Sequence, residues 1–426
     1  DRLDALAGSA PDDKQREAKV RAFCNRFVEL AFRRPLTPEQ QRLFIDSRFA
    51  QGKADTDSVK EVILLALKSP RFLYPDLGQA DDHAVATRLA LGLWDSLPDA
   101  ELLRAAAADR LGSPEQARQQ ALRMLRDPRS RAKLRSALHH WIGIDTAAGI
   151  AKDPEVFPGY DNALEADLRT SLNLFIDNVI WQRTGADFRK LLTADYLPFS
   201  ERLAKFYGAK RVADAGEFAP TRFAQEERAG LLTHPYLLSL FSYHNTTSPI
   251  HRGVFVARRV LGRELKPPPE AIVFKNDEFD PHMTMREKIT YITRDGGCMS
   301  CHSLINPAGF ALERFDGVGR TRQTENGRPI NTASNYESDE GQTVRLADAQ
   351  DIANHAITSP SAQESFVESL FNQVAKQPIQ AYGSGALNRL RDDFTGSGFN
   401  VQFLLAETAV TAALHGIDPA PPAERN

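Results

Sequence analysis

Five consecutive residues, Cys298-Met299-Ser300-Cys301-His302, concentrate the reactive chemistry of this chain. Two thiols three positions apart lie about one helical turn from each other and reach the same side of a short helix. From there each S–H can add across one of the two vinyl groups on a porphyrin edge, giving two thioethers with no leaving group. The next residue then brings an imidazole beneath the iron. C-x-x-C-H at this spacing is the signature of covalent c-type haem attachment, one haem c per chain. Gly296 and Gly297 are expected to supply the backbone freedom that starts the turn. Asn306-Pro307-Ala308-Gly309-Phe310 is expected to end it. Phe310, with Leu312 and Phe315, is placed to wall the porphyrin. The Pro307 backbone carbonyl is placed to accept from His302 and fix its ring.

Other chemistries compete for the same residues. A redox dithiol of the thioredoxin kind comes with a βαβ pattern, and none surrounds residue 298. A zinc site needs further ligands, and only three cysteines exist in the whole chain. The third, Cys24, sits in an amphipathic helical stretch and reads as a buried free thiol. His282 and His251 could be recruited to a metal, but at irregular spacing. A local Cys298–Cys301 disulfide, a dithiol or a zinc pair therefore stand as alternatives to haem. For the sixth position on a haem iron, Met299 lies inside the attachment turn and is set aside. Met283 and Met285 are the candidate metal ligands beside His302; a thioether there would raise the reduction potential and suit electron transfer. His234, His244, His251 and His282 are rivals, each also readable as a loop or cap residue, and a five-coordinate iron is a further option.

The elements that must position this turn read as helix. Apolar residues recur at helical spacing from Asp13 to Phe32, and Thr37-Pro38 with Gln40 reads as a capped start for a helix to about Phe49. Further helices are expected over 58–67, around Val85, Leu89 and Trp94, and over 114–126, 130–141 and 163–183. Others follow at 253–261, from Thr284 as cap to Thr290, and at 348–355, 361–375, 386–393 and 401–414. Adjacent His139 and His140 point to different faces and suggest a helix end. Strand signals are scarce. One hairpin is expected around Gly327–Asn331, closed near Gln342–Val344, with Glu337, Asp339 and Glu340 as a solvated tip. Pro267–Pro269 reads as a stiff extended link and Pro419–Asn426 as a loose tail.

The whole chain has 426 residues, 42% of them hydrophobic and 26% charged, which excludes disordered and fibrous classes. Lysine and arginine total 53 against 56 acidic residues, so no basic surplus draws a nucleic acid. No run of about 18 apolar residues offers a membrane span. The start, Asp-Arg-Leu-Asp, has neither Met nor signal peptide and reads as a processed or truncated product. The expected architecture is mainly α: a multi-domain helical scaffold with a small cytochrome c-like haem-binding segment and a minor β-hairpin. Its segments are 1–80 and 81–225 (helical), 226–325 (haem-binding) and 326–426 (hairpin plus helices).

An ordered set of motifs adds a resemblance. Gly230-Leu-Leu-Thr-His-Pro235 is followed by Thr247-Ser-Pro-Ile-His-Arg-Gly253, Pro267–Pro269, the Cys298–His302 pentapeptide and Ile305-Asn-Pro-Ala-Gly-Phe-Ala-Leu-Glu-Arg-Phe-Asp316. Ala31–Thr37, Leu191–Tyr196, Glu201–Gly208 and, more loosely, Gln377–Gly383 extend the match over nearly the whole chain. The sequence resembles the planctomycete-type multi-domain cytochrome c-like proteins built from domains of unknown function. The resemblance implies an exported haem protein with no assigned activity. Many members carry a His five or six residues before the first Cys; here those positions are Thr293 and Ile292. The expectation is an exported, periplasmic or cell-surface monohaem cytochrome. It would transfer electrons with a redox partner protein, as a subunit or partner of a larger assembly. A haem enzyme with an open, peroxidase-like iron site is one alternative, and a structural or surface-assembly protein with a local disulfide is another.

Overall fold

The computed structural model describes residues 2–49, 56–74, 80–145, 149–181, 186–211, 216–223, 228–266 and 274–417. The triproline link at 267–269 and the tail from 419 lie outside the described residues. The chain is mainly α, with strands only in two-stranded pairs among those residues, and it divides into two compact units.

The first unit comprises Asp1–Lys133, Val374–Lys376 and Leu405–Asn426. Its helix α1 (Arg16–Phe32) packs against α2 (Thr56–Lys68), and Val20, Cys24, Val28, Phe44 and Val62 close the core between them. Cys24 is fully buried, as its helical stripe predicted, and burial pushes its thiol up to about 11. Thr37 accepts from the Gln40 N–H while the Gln40 side chain accepts from the Thr37 N–H, a reciprocal cap with Pro38 in the first turn. This is the start that Thr37-Pro38 signalled. The helix α3 (Asp82–Trp94) is capped in the same spirit by Asp81, which accepts from the Ala84 N–H.

The second unit comprises Leu134–Gln373 and Gln377–Leu404. Its core is built on α4 (Asn162–Ile180), and an aromatic cluster of Trp141, Phe188, Phe366 and Phe394 packs with ring centroids 4.3–5.7 Å apart. The strand β1 (Tyr196–Phe199) pairs antiparallel with β2 (Ala219–Arg222). That pair escaped the sequence pattern because Pro198 and Pro220 sit opposite each other in it, and proline counts against a strand. The helices α5 (Pro235–Leu240), α6 (Pro249–Phe255), α7 (Met285–Ile292) and α8 (Gly296–Phe310) follow.

The single expected hairpin is two. The strands β3 (Thr324–Glu325) and β4 (Arg328–Pro329) turn about Asn326-Gly327, both at positive φ, as a tight two-residue hairpin turn requires. The strands β5 (Ser334–Glu337) and β6 (Thr343–Leu346) form the second. Glu337, Asp339 and Glu340 are all exposed, as expected of a solvated tip; Asp339 also pairs with Arg263, and Glu340 accepts from the Ser359 hydroxyl at 3.4 Å.

Candidate functional site

The helix α8 contains the whole Cys298–His302 pentapeptide and continues to Phe310. The Asp295 carbonyl accepts from the Cys298 and Met299 N–H groups at 2.9 and 3.0 Å and starts the helix. Cys298, Cys301 and His302 stand at positions i, i+3 and i+4, so one face carries all three side chains. All three are half-buried, while Met299, Ser300 and Ser303 around them are exposed. Both thiols are free. Two expectations change here. Gly296 and Gly297 have ordinary helical backbones with open space where a Cβ would be, so the turn does not depend on glycine. The segment from Asn306 continues the helix instead of ending it, although Pro307 removes the bond to the Ser303 carbonyl.

The continuation decides the environment of His302. Helix carbonyls point toward the C-terminus, and the Pro307 carbonyl accepts from the Ala311 N–H at 3.2 Å. It faces away from His302 and does not hold the ring. The partner is Asn306: its Oδ1 lies 2.9 Å from His302 Nδ1, one turn along the same face. Asn306 Nδ2 donates to Thr293 Oγ1 at 2.9 Å, and Thr293 Oγ1 donates to the Ile289 carbonyl at 2.8 Å. Asn306 and Thr293 are both buried. Thr293 is one of the two positions where the resemblance would place a His. Asn306 stands in two of the quoted motifs but was given no part in holding His302; its place four residues after a helical His302 is a signal that a continuous helix makes readable.

From Ile305 onward α8 is wholly buried, and α6 holds it there. A Cβ on Gly253 would meet the Ile305 carbonyl oxygen at 2.1 Å, and one on Gly309 would meet that of Pro249 at 1.9 Å. Two glycines thus let the backbones of α6 and α8 touch. Ser248 caps α6, and its hydroxyl accepts from the His251 N–H at 3.2 Å. Arg252, fully buried, donates to the carbonyls of Leu312, Phe315 and Asp316 beyond the end of α8, at 2.6–3.1 Å. It also donates to the Ser242 hydroxyl at 2.9 Å. Burial pushes this guanidinium down to about 10, so it keeps its charge at neutral pH. Glu313 lies 3.6 Å from it and accepts from Thr247 and Arg322 at 2.8 and 3.0 Å. The Thr247–Gly253 and Ile305–Asp316 motifs are therefore the frame that fixes α8. Their roles as packing residues were missed because they depend on partners distant in sequence.

The remaining candidates fall elsewhere. Phe310 is buried against Met285 and Ile289, with the Arg286 guanidinium 4.5 Å over its ring. Eight residues of helix, about 12 Å of rise, separate it from His302, so it serves the packed end of α8 and not its exposed turns. Leu312 and Phe315 are also core residues. Met285 is a buried core side chain, and Met283 lines a cleft of about 540 Å³ with Arg286, Tyr291, Arg294 and Arg328. His234 caps α5: its Nδ1 accepts from the Tyr236 N–H at 3.2 Å, and Nε2 faces Ser171 Oγ at 3.3 Å. His244 and His282 are exposed, and the His251 ring lies 5.2 Å from that of Tyr243. His139 pairs with Asn173 and His140 with Asp145, each at its own face of the helix end. Lys152, also missed, is buried and donates to the Tyr243 carbonyl at 2.8 Å.

No group of three or more His, Cys, Asp and Glu residues gathers as a metal site among the described residues. None of their helices is long and apolar enough to cross a membrane. No curated protein and no solved structure matches the chain. Residues 80–209 match the family described as PSD4, protein of unknown function (DUF1592). Residues 228–325, which include α6, α7 and α8, match the one described as PSCyt3, protein of unknown function (DUF1588). Both matches are to domains of unknown function, of the types found in the planctomycete-type cytochrome c-like proteins.

Proposed function

We propose that the chain is an exported monohaem c-type cytochrome acting in electron transfer, with Cys298 and Cys301 as the attachment residues and His302 as axial ligand. The observation that supports this most is the shared face of α8. It presents two free thiols and an imidazole at i, i+3 and i+4, half-buried on a helix whose far end is locked by α6. The donor set fits the group: two thiols can add to two vinyls, and an imidazole with one nitrogen already bonded has the other to offer. Haem would supply one-electron chemistry. The protein's part is to hold His302 through Asn306 and to keep α8 from moving through Gly253, Gly309 and Arg252. Thioether attachment takes place outside the bacterial cytoplasm, which gives the periplasm or cell surface as location. A single haem on a large helical scaffold suits docking to a redox partner within a larger assembly.

The test is the intact mass of the denatured, natively sourced protein beside its visible spectrum. One haem retained through denaturation, lost in Cys298→Ser/Cys301→Ser, is the expected result. An unmodified mass with no Soret band overturns the reading and leaves Cys298 and Cys301 as a dithiol, disulfide or metal pair. Carbon monoxide binding to the reduced protein would move the assignment from electron carrier to open-site haem enzyme.

A further inference from the structure

A chain of hydrogen bonds behind His302 has only one consistent direction. The Ile289 carbonyl can only accept, and it takes the Thr293 N–H at 3.1 Å and the Thr293 hydroxyl at 2.8 Å. With its single proton committed, the Thr293 oxygen can only accept from Asn306, so the group 2.9 Å away is the amide NH₂. This orients the Asn306 side chain, and the atom facing the imidazole at 2.9 Å is its carbonyl oxygen. An amide oxygen cannot donate, so His302 Nδ1 must carry the hydrogen. A neutral imidazole has one N–H, and the lone pair is then on Nε2. Asn306 and Thr293 are 7% and 4% exposed, so the chain is shielded from water that could reverse a link.

We propose that Asn306, oriented by Thr293, is the positioning residue that fixes His302 as the Nδ1–H tautomer and tunes whatever Nε2 ligates. The proposal deepens the haem reading and rests on it for the identity of the ligated group, though not for the tautomer. A free histidine side chain prefers Nε2–H, the form that cannot bind a metal through Nε2. The relay reverses that preference before any ligand arrives. Once His302 is ligated, the same Nδ1–H···O bond makes the imidazole a stronger donor and favours the oxidised metal. A better acceptor at position 306 lowers the reduction potential, and loss of the acceptor raises it.

The first measurement is ¹⁵N NMR of the His302 ring in the full chain produced without haem, in mildly alkaline buffer. The expected result is an Nδ1–H to Nε2–H ratio raised about fivefold or more over that of a free histidine side chain, the shift one buried hydrogen bond provides. Thr293→Val should lose that shift and Thr293→Ser retain it. Wild-type protein showing the ratio of a free side chain, or Thr293→Val leaving the ratio unchanged, overturns the proposal. The second measurement is the reduction potential of haem-loaded Asn306→Asp and Asn306→Leu. The first is expected below wild type and the second above it; coincident potentials overturn the tuning role. If the Asn306 variants do not fold, the wild-type tautomer and the Thr293 pair still decide. If native protein carries no haem, the cytochrome reading falls, while the tautomer of the haem-free chain tests Asn306 separately.

Discussion

Replacing Gly309 with alanine puts a methyl carbon 1.9 Å from the Pro249 carbonyl oxygen and 2.7 Å from its carbon. An ordinary contact begins near 3.4 Å, so α6 and α8 must part by about 3.4 − 1.9 = 1.5 Å at their crossing. Both colliding groups are backbone, and no rotamer change relieves the clash. Overpacking of this kind costs about 3 kcal/mol or more. Alanine regains about 1 kcal/mol over glycine inside a helix. The net loss is then about 2 kcal/mol or more, which for a domain of roughly 250 residues corresponds to roughly 4–8 °C in melting temperature. Gly253→Ala, whose Cβ would lie 2.1 Å from the Ile305 oxygen, should behave alike. Gly296→Ala and Gly297→Ala have nothing within 4 Å and should melt at or slightly above wild type. Thermal unfolding followed by far-UV circular dichroism on all four variants makes the comparison. A Gly309→Ala protein melting with wild type would refute the close crossing and, with it, the account of what holds the Cys298–His302 face in place.

Three other outcomes follow from burial. In haem-free native protein, a thiol reagent should titrate two cysteines rapidly, since Cys298 and Cys301 are half-buried, and Cys24 only on unfolding, because its thiol is fully buried and pushed up to about 11; three equally fast thiols would contradict the fold of α1. Burial, then the Arg228 charge, pushes His234 down to about 3. Between its ordinary 6.5 and that value the unfolded chain binds more protons, so stability should fall with falling pH by at most about 1.4 kcal/mol per unit. His234→Asn keeps a capping side chain and should flatten this acid limb in urea titrations at pH 4–6.5; an unchanged slope would count against the buried neutral imidazole. Lys152 is pushed down to about 7, chiefly by burial and then by Arg252, so its charge opposes folding below that pH. Stability should rise between about 7 and 10.5 as the folded chain releases this proton first, and Lys152→Met should remove the rise.

How much of this was legible depended on whether the cause was local. Thr37, Pro38 and Gln40 carry their own helix start, as do Thr284 and Glu287, and both predicted caps are present as reciprocal hydrogen-bonded pairs. Cys24 lay on an apolar stripe that could only face inward. The spacing of Cys298, Cys301 and His302 likewise specified a common face without help from the rest of the chain. Pro307 misled because proline ordinarily stops a helix. It is tolerated here because the carbonyl it leaves unbonded belongs to exposed Ser303, where water can reach it. That one misreading hid Asn306, since a side chain four residues on reaches His302 only if the helix continues. It also put the Pro307 carbonyl in a role that helix geometry denies it. Gly253, Gly309 and Arg252 gave no local signal at all: a glycine needed for close approach looks in sequence like any other glycine, and a guanidinium that binds carbonyls 60 or more residues away looks like a surface charge. The same division separates the surroundings of His302 from those of the candidate methionines. His302 and Asn306 belong to one helix, whereas Met285 reaches its core position through the packing of α7 on Phe310 of α8, and Met283 lines its cleft beside the β3–β4 hairpin.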